Sequence, residues 1–157
     1  MNNQDYIYMK EALKEAKKAS KIGEVPIGCV IVQNDTIIAR GYNKRHTSKN
    51  AIMHAEVIAI NKACKALNKW ILDDCTIYVT LEPCPMCAGA ILQARMKRVV
   101  FGASEPKFGA CGSITNILNN PQFNHQVEIT SGIMQTESQQ LLQNFFHILR
   151  QKEQNKI

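Results

Sequence analysis

The sequence predicts an α/β protein, a three-layer α/β/α sandwich around a mixed five-stranded sheet. Three patterns carry that expectation. Two β-rich runs flank an Asn34-Asp35 turn, strand and helix patterns then alternate, and both ends of the chain carry helical apolar stripes. The 157 residues are 45% hydrophobic but only 6% aromatic, so aliphatic side chains must supply most of the core. That length suits one compact unit spanning 1–157.

Tyr6, Met9, Leu13 and Ala16 recur at helical spacing, which predicts a helix over 6–22 that Gly23 ends. Residues 27–33 and 36–41 read as an antiparallel hairpin. An alanine-rich stretch with Ile58, Ala59 and Ala63 predicts a helix over 54–67, and 76–80 a strand. Residues 83–94 read as a loop entering a helix, where Pro85 suits the first turn because its missing N–H costs nothing. Residues 98–102 form a buried strand and 127–129 a weaker one. The last helix covers 136–150, with Leu141, Leu142, Phe145 and Leu149 as its apolar stripe. Crossovers between parallel strands are expected to be right-handed.

Nineteen Lys and Arg against thirteen Asp and Glu leave a formal charge of +6, which favours an acidic partner, nucleic acid first. Lys10, Lys14, Lys17, Lys18 and Lys21 on the first helix, with Arg150 and Lys152 near the end, point the same way; the bland alternative is a solvated helix face. Met1 to Asp5 is polar with no basic lead into an apolar stretch, so no secretory signal is expected. The longest apolar run, Ile27 to Val32, is too short to cross a bilayer. The expectation is a cytoplasmic protein without a membrane partner. Six cysteines in such a chain are not expected to pair. Cys29, Cys64 and Cys75 fall in apolar patterns as small core residues, and Cys111, in a Gly-rich loop, receives no role.

Two short segments carry chemistry: His54-Ala55-Glu56 and Glu82-Pro83-Cys84-Pro85-Met86-Cys87. A Cys-x-x-Cys at the entry to a helix lets two thiolates reach one ion, and a histidine from elsewhere supplies a third bond. Three protein ligands leave one position open for water, which separates a catalytic zinc site from a structural one. The helix N-terminus favours thiolate over thiol. Glu56, two residues beyond His54, is placed to move protons without binding the metal. Alone, either motif is weak. Together, thirty residues apart with a strand between, they match the pattern of zinc-dependent nucleobase deaminases, with Zn2+ on His54, Cys84 and Cys87 and Glu56 as acid and base.

Longer stretches sharpen this. Residues 23–28 (Gly-Glu-Val-Pro-Ile-Gly), 54–56, 80–90, 101–103, Gly112-Ser113, 123–125 (Phe-Asn-His), and Phe145-Phe146 followed by Arg150 together resemble the bacterial tRNA-specific adenosine deaminase (TadA) family. The central motifs belong to the wider cytidine-deaminase-like superfamily. The resemblance implies a cytidine-deaminase-like fold and a zinc-dependent homodimer that converts the wobble adenosine of a tRNA anticodon to inosine. It further implies that Asn43 hydrogen-bonds the flipped base, that Ile27 packs on it, and that Glu105 and Asn124 contact neighbouring nucleotides. The alternatives are a turn residue for Asn43, core for Ile27 and a loop cap for Asn124. The chain departs from the family pattern in having Asn50-Ala51-Ile52-Met53 before His54, and Glu105 where Asp is usual. A deaminase of free bases would share the metal site, and a zinc-folded RNA-binding subunit would have no use for Glu56.

Overall fold

A computed structural model of the chain describes residues 3–156; Met1, Asn2 and Ile157, which the 1–157 unit and the polar N-terminal stretch include, lie outside the described residues. The elements run α1 (Asn3–Lys21), β1 (Gly28–Gln33), β2 (Thr36–Tyr42), α2 (Ala55–Leu67), β3 (Cys75–Leu81), α3 (Pro85–Gln93), β4 (Arg98–Ala103), β5 (Glu128–Thr130) and α4 (Gln135–Gln154). Each coincides with an expected element to within a few residues. Asn34 and Asp35 both take positive φ, 48° and 60°, as a two-residue hairpin turn requires, and Gly23 (φ 78°) stops α1.

One sheet in the order β2-β1-β3-β4-β5 joins the strands, antiparallel on the hairpin side and parallel from β3 to β5. β1, β3 and β4 alternate from face to face. Cys29, Ile31, Ile77, Val79, Val99 and Phe101 face α2 and α3, while Val30, Val32, Tyr78 and Val100 face α1. Both faces are therefore covered, and the expected three-layer α/β/α arrangement is the one observed.

Aliphatic economy is visible at the helix contacts. Gly28 lies against the backbone of Ala12, Glu15 and Ala16, and Gly41 against that of Ala55 and Ala59. A Cβ at either position would enter the helix backbone, so α1 and α2 approach the sheet as closely as chains can. Small alanines at the contact make up for the scarcity of aromatic bulk.

The last helix lies where it is expected but is sparsely buried. Within α4 only Ser138 is buried, and Phe146 and Leu149 stay 39% and 41% exposed. It meets β4, α1 and β3. At its far end the apolar stripe is only loosely covered, Phe145, Ile148 and Leu149 bordering a cavity with Ser20, Lys21 and Gly23. Among the described residues no helix is long and apolar enough to cross a membrane.

The N-terminal stretch holds a feature that its polarity conceals. Asp5, 2% exposed, accepts two hydrogen bonds from the Arg98 guanidinium (2.9 and 2.7 Å) and one from the Tyr78 hydroxyl (2.9 Å). The pair ties the first turn of α1 to β3 and β4 in fork geometry. Burial pushes the Asp5 carboxyl up, but the Arg98 and Tyr78 hydrogen bonds outweigh it and hold the group below its ordinary range. A carboxyl depressed in the folded state contributes stability that is complete above its unfolded pKa of about 3.9 and lost as pH falls through the lower folded value. Asp5→Asn should therefore cost about 3 kcal/mol near pH 6, because Arg98 loses its buried partner. Urea unfolding at several pH values checks this, and the gap to the native chain should close as pH falls below about 4 and through the lower folded value.

Candidate active site

The sheet gathers the loops at one end. The C-terminal ends of β2, β3 and β4 and the start of β1 all open there, since Gly28 pairs with Tyr42 and Leu81 with Ala103. Carboxyl ends of strands are where open α/β sheets present their clefts. A cavity of about 440 Å³ occupies this end, bordered by Ile27, His54, Glu56, Glu82, Cys84 and Glu105 among others.

Two helices begin at its floor. His54 is the N-cap of α2, with its carbonyl taking the Ile58 N–H at 3.1 Å. Cys84 is the N-cap of α3, Pro85 follows in the first turn, and the Cys84 carbonyl takes the Ala88 N–H at 2.8 Å. Three residues on, Cys87 faces the same point. His54 Nδ1 lies 3.7 Å from Cys84 Sγ and 3.5 Å from Cys87 Sγ, and one ligand atom from each residue lies within 4.8 Å of the others. One imidazole nitrogen and two thiol sulfurs, placed so, form a group that could hold a metal ion, and the donor chemistry is that of zinc.

The electrostatics agree with that chemistry. Hydrogen bonding to Cys87, with His54 close by, lowers Cys84 to about 4, so it stands ready as thiolate. The Cys87 thiol is pushed up by the same partnership and by burial. The Cys84 sulfur in turn raises His54. Two positive helix ends aimed at the sulfurs favour the anionic form further.

Glu56, in the first turn of α2, is 4% exposed. Burial raises its carboxyl to about 7, with the neighbouring Cys84 charge acting the same way. The Cys87 thiol is within hydrogen-bonding reach of it. A carboxyl in such a place can both take and return a proton.

The remaining expected residues divide. Ile27 and Glu105 border the cavity. Glu105 also accepts the Lys107 N–H at 3.0 Å, so part of its carboxylate is occupied by its own loop. Asn43 is 5% exposed just beyond β2 and is not among the bordering residues. Its amide donates to the Val25 carbonyl (3.3 Å) and accepts the Arg45 N–H (3.2 Å), which is what a turn residue does. Asn124 is exposed and apart from the cavity. It precedes His125, whose Nε2 meets the Met96 carbonyl at 2.8 Å near the start of β4, the opposite end of the sheet.

Two residues of the motifs that had no assigned role prove to organise the walls. Glu24, fully buried, accepts the His46 N–H (3.1 Å), the Thr47 N–H (2.6 Å) and the Thr47 hydroxyl, and so pins the loop that enters α2. Glu82, 3% exposed, accepts the N–H groups of Glu105 (3.0 Å), Cys111 (3.0 Å) and Ser113 (3.1 Å) and the Ser113 hydroxyl. It pins the opposite wall. Burial pushes both carboxyls up, and the loop hydrogen bonds more than reverse this. Cys111 thereby gains an account. Its N–H serves Glu82, and its thiol, raised to about 12 by burial, is a neutral filler. All six cysteines are free.

The MafB19-like deaminase family profile matches residues 1–150. The chain is 54% identical over 149 residues to the tRNA-specific adenosine deaminase of Bacillus subtilis (strain 168), covering 95% of this chain and 92% of that one. A solved structure of a tRNA:A34 deaminase, from work on A-to-I editing at the wobble position, superposes with a TM-score of 0.82 at 41% identity, over 85% of this chain and 97% of that one. A guanine deaminase from Bacillus subtilis shares 45% identity at a TM-score of 0.61, over 66% of each chain. Matching that profile over nearly its whole length, and the first of these relatives almost end to end, the chain belongs to the MafB19-like deaminases and, among them, to the tRNA-specific adenosine deaminase family.

Proposed function

We propose that residues 1–157 form one deaminase domain that binds one Zn2+ through His54, Cys84 and Cys87 and converts the wobble adenosine of a tRNA anticodon to inosine. The observation that carries this is the joint placement of a nitrogen-and-two-sulfur donor set and a buried carboxyl, Glu56, beside one cavity of nucleobase size. The relatives' activity supplies the substrate. The enzyme works in the cytoplasm as a homodimer. The large apolar side chains left on one chain's surface, Trp70 and Ile114 at 63% each, support an assembly.

Bound there, Zn2+ would act as a Lewis acid that makes water a nucleophile near neutral pH. Ile27 packs on the flipped adenine, Asn43 turns its amide to the base, and Glu105 and Asn124 hold adjacent nucleotides. Asn43 and Asn124 reach these partners only if RNA binding rearranges their loops or a second copy supplies them. Glu56 takes one proton from the attacking water and delivers it to adenine N1. The C6–O bond forms. Glu56 then carries the second proton to the amine, the C6–N bond breaks, and ammonia leaves inosine behind. An anticodon loop suits this because extruding an unpaired base costs only a few kcal/mol.

The free-base reading has an observation of its own, the likeness to a guanine deaminase. Against it stand the +6 charge and the basic helix faces.

Glu56→Ala should keep stoichiometric zinc and lose about 10²–10⁴-fold in turnover. Metal analysis beside an inosine assay checks both halves, and normal turnover would remove Glu56 from the mechanism. Cys87→Ala should lose zinc and thermal stability together, since ligand binding is coupled to folding. The deciding assay offers an anticodon stem-loop with wobble adenosine beside free adenosine, guanine and cytosine. Only the stem-loop should be converted, and its affinity should fall with salt by about 0.7 log units per decade for each phosphate contacted. Conversion of guanine alone would keep the metal chemistry and overturn the substrate.

A further inference from the structure

One side chain at the cavity rim is out of keeping with a folded surface. Phe108 leaves 68% of its area in water, more than any other large apolar side chain among the described residues. It borders the cavity together with Met86, itself 36% exposed, and Arg45.

The ring is displayed on a held loop. Glu105 donates its N–H to buried Glu82, and the Gly109 N–H closes back on the Glu105 carbonyl at 2.9 Å, so the backbone is fixed on both sides of Phe108. Gly109 packs so tightly on the Glu82 carboxyl that a Cβ there would overlap it. A ring with only two side-chain torsions on a held backbone loses little entropy when something settles on it. The cavity, at about 440 Å³, takes one nucleobase with its sugar. A base drawn into it from a strand leaves its chain neighbours at the rim, where the ring and the Arg45 guanidinium lie. Flat apolar surface beside a cation is how proteins receive unstacked bases.

Granting the RNA substrate proposed above, we infer that Phe108 is a stacking platform for the base directly flanking the target adenosine. Drawing the target out of its stack exposes the face of a neighbour, and the ring re-covers it. Phe108 thus contributes to substrate binding and to the choice of single-stranded RNA over a free base, without taking part in proton transfer.

The test uses three anticodon stem-loops: one intact, one abasic on the 5′ side of the target, one abasic on the 3′ side. Base–aromatic stacking of about 1–3 kcal/mol predicts that Phe108→Ala lowers kcat/KM on the intact stem-loop about 5- to 150-fold, while Phe108→Trp retains it. On one of the abasic stem-loops the native chain should fall to the level of Phe108→Ala, and the two should become equal. An unchanged Phe108→Ala, or the same fold loss on both abasic stem-loops, would overturn the inference. So would a change in sedimentation mass, which would make Phe108 a subunit contact. Failure of the native chain to convert the intact stem-loop at all would overturn the substrate assignment, and this inference with it.

Discussion

Everything in this site depends on two helices beginning at the same point. The N-terminus of α2 presents His54 and Glu56, and that of α3 presents Cys84 and Cys87, both on one face of the sheet. Helix ends leave N–H groups unsatisfied and positive, so they favour sulfur as thiolate. The convergence is fixed from below. Gly41 brings α2 to backbone contact with β2, and Ala88 and Ile91 seat α3 against the same core. Tolerances of a few tenths of an ångström follow from backbone packing, which side-chain packing alone would not supply.

The walls obey a different rule from the floor. Loops carry backbone polar groups that a cavity lining cannot leave unpaired. Glu24 and Glu82 meet this requirement in the same way, each buried and each offering both oxygens to the N–H groups of one loop. A buried carboxylate is costly unless fully hydrogen-bonded, and here the loops supply the bonds. The two walls are thus each tied to a single side chain in the motif strand or turn beside the metal-binding group. That makes them stiffer than their lack of regular structure suggests.

The chemical centre was legible from sequence because its spacing is dictated by covalent geometry. Cys-x-x-Cys across a helix start, and a carboxyl two residues after a capping histidine, have few three-dimensional outcomes. The strands were legible for the same reason, their two-residue alternation surviving in a doubly covered sheet. What escaped depended on long-range partners. Asp5 looks like an ordinary polar residue near the N-terminus until Arg98, ninety-three positions away, closes on it. Residues 104–127 hold no helix or extended strand, so periodicity has nothing to report there, and Phe108 and the role of Glu82 lay unread. The C-terminal stripe was legible as a helix but its degree of cover was not, since amphipathicity marks a face that seeks a partner without saying where that partner is.

Chemistry and selection are consequently built from different materials in this chain. The His54, Cys84 and Cys87 group and Glu56 stand at helix starts, where the proposed reaction tolerates least displacement. The rim of the cavity stands on loops, where Arg45, Glu105 and Phe108 border it away from the helix starts. Proteins similar to this chain are named for guanine as well as for tRNA. The division locates the choice of substrate. A difference between a free base and an anticodon must be made where the second nucleotide would lie, which is the rim, and the rim of this cavity is held rigid by carboxylates while its surface stays open to change.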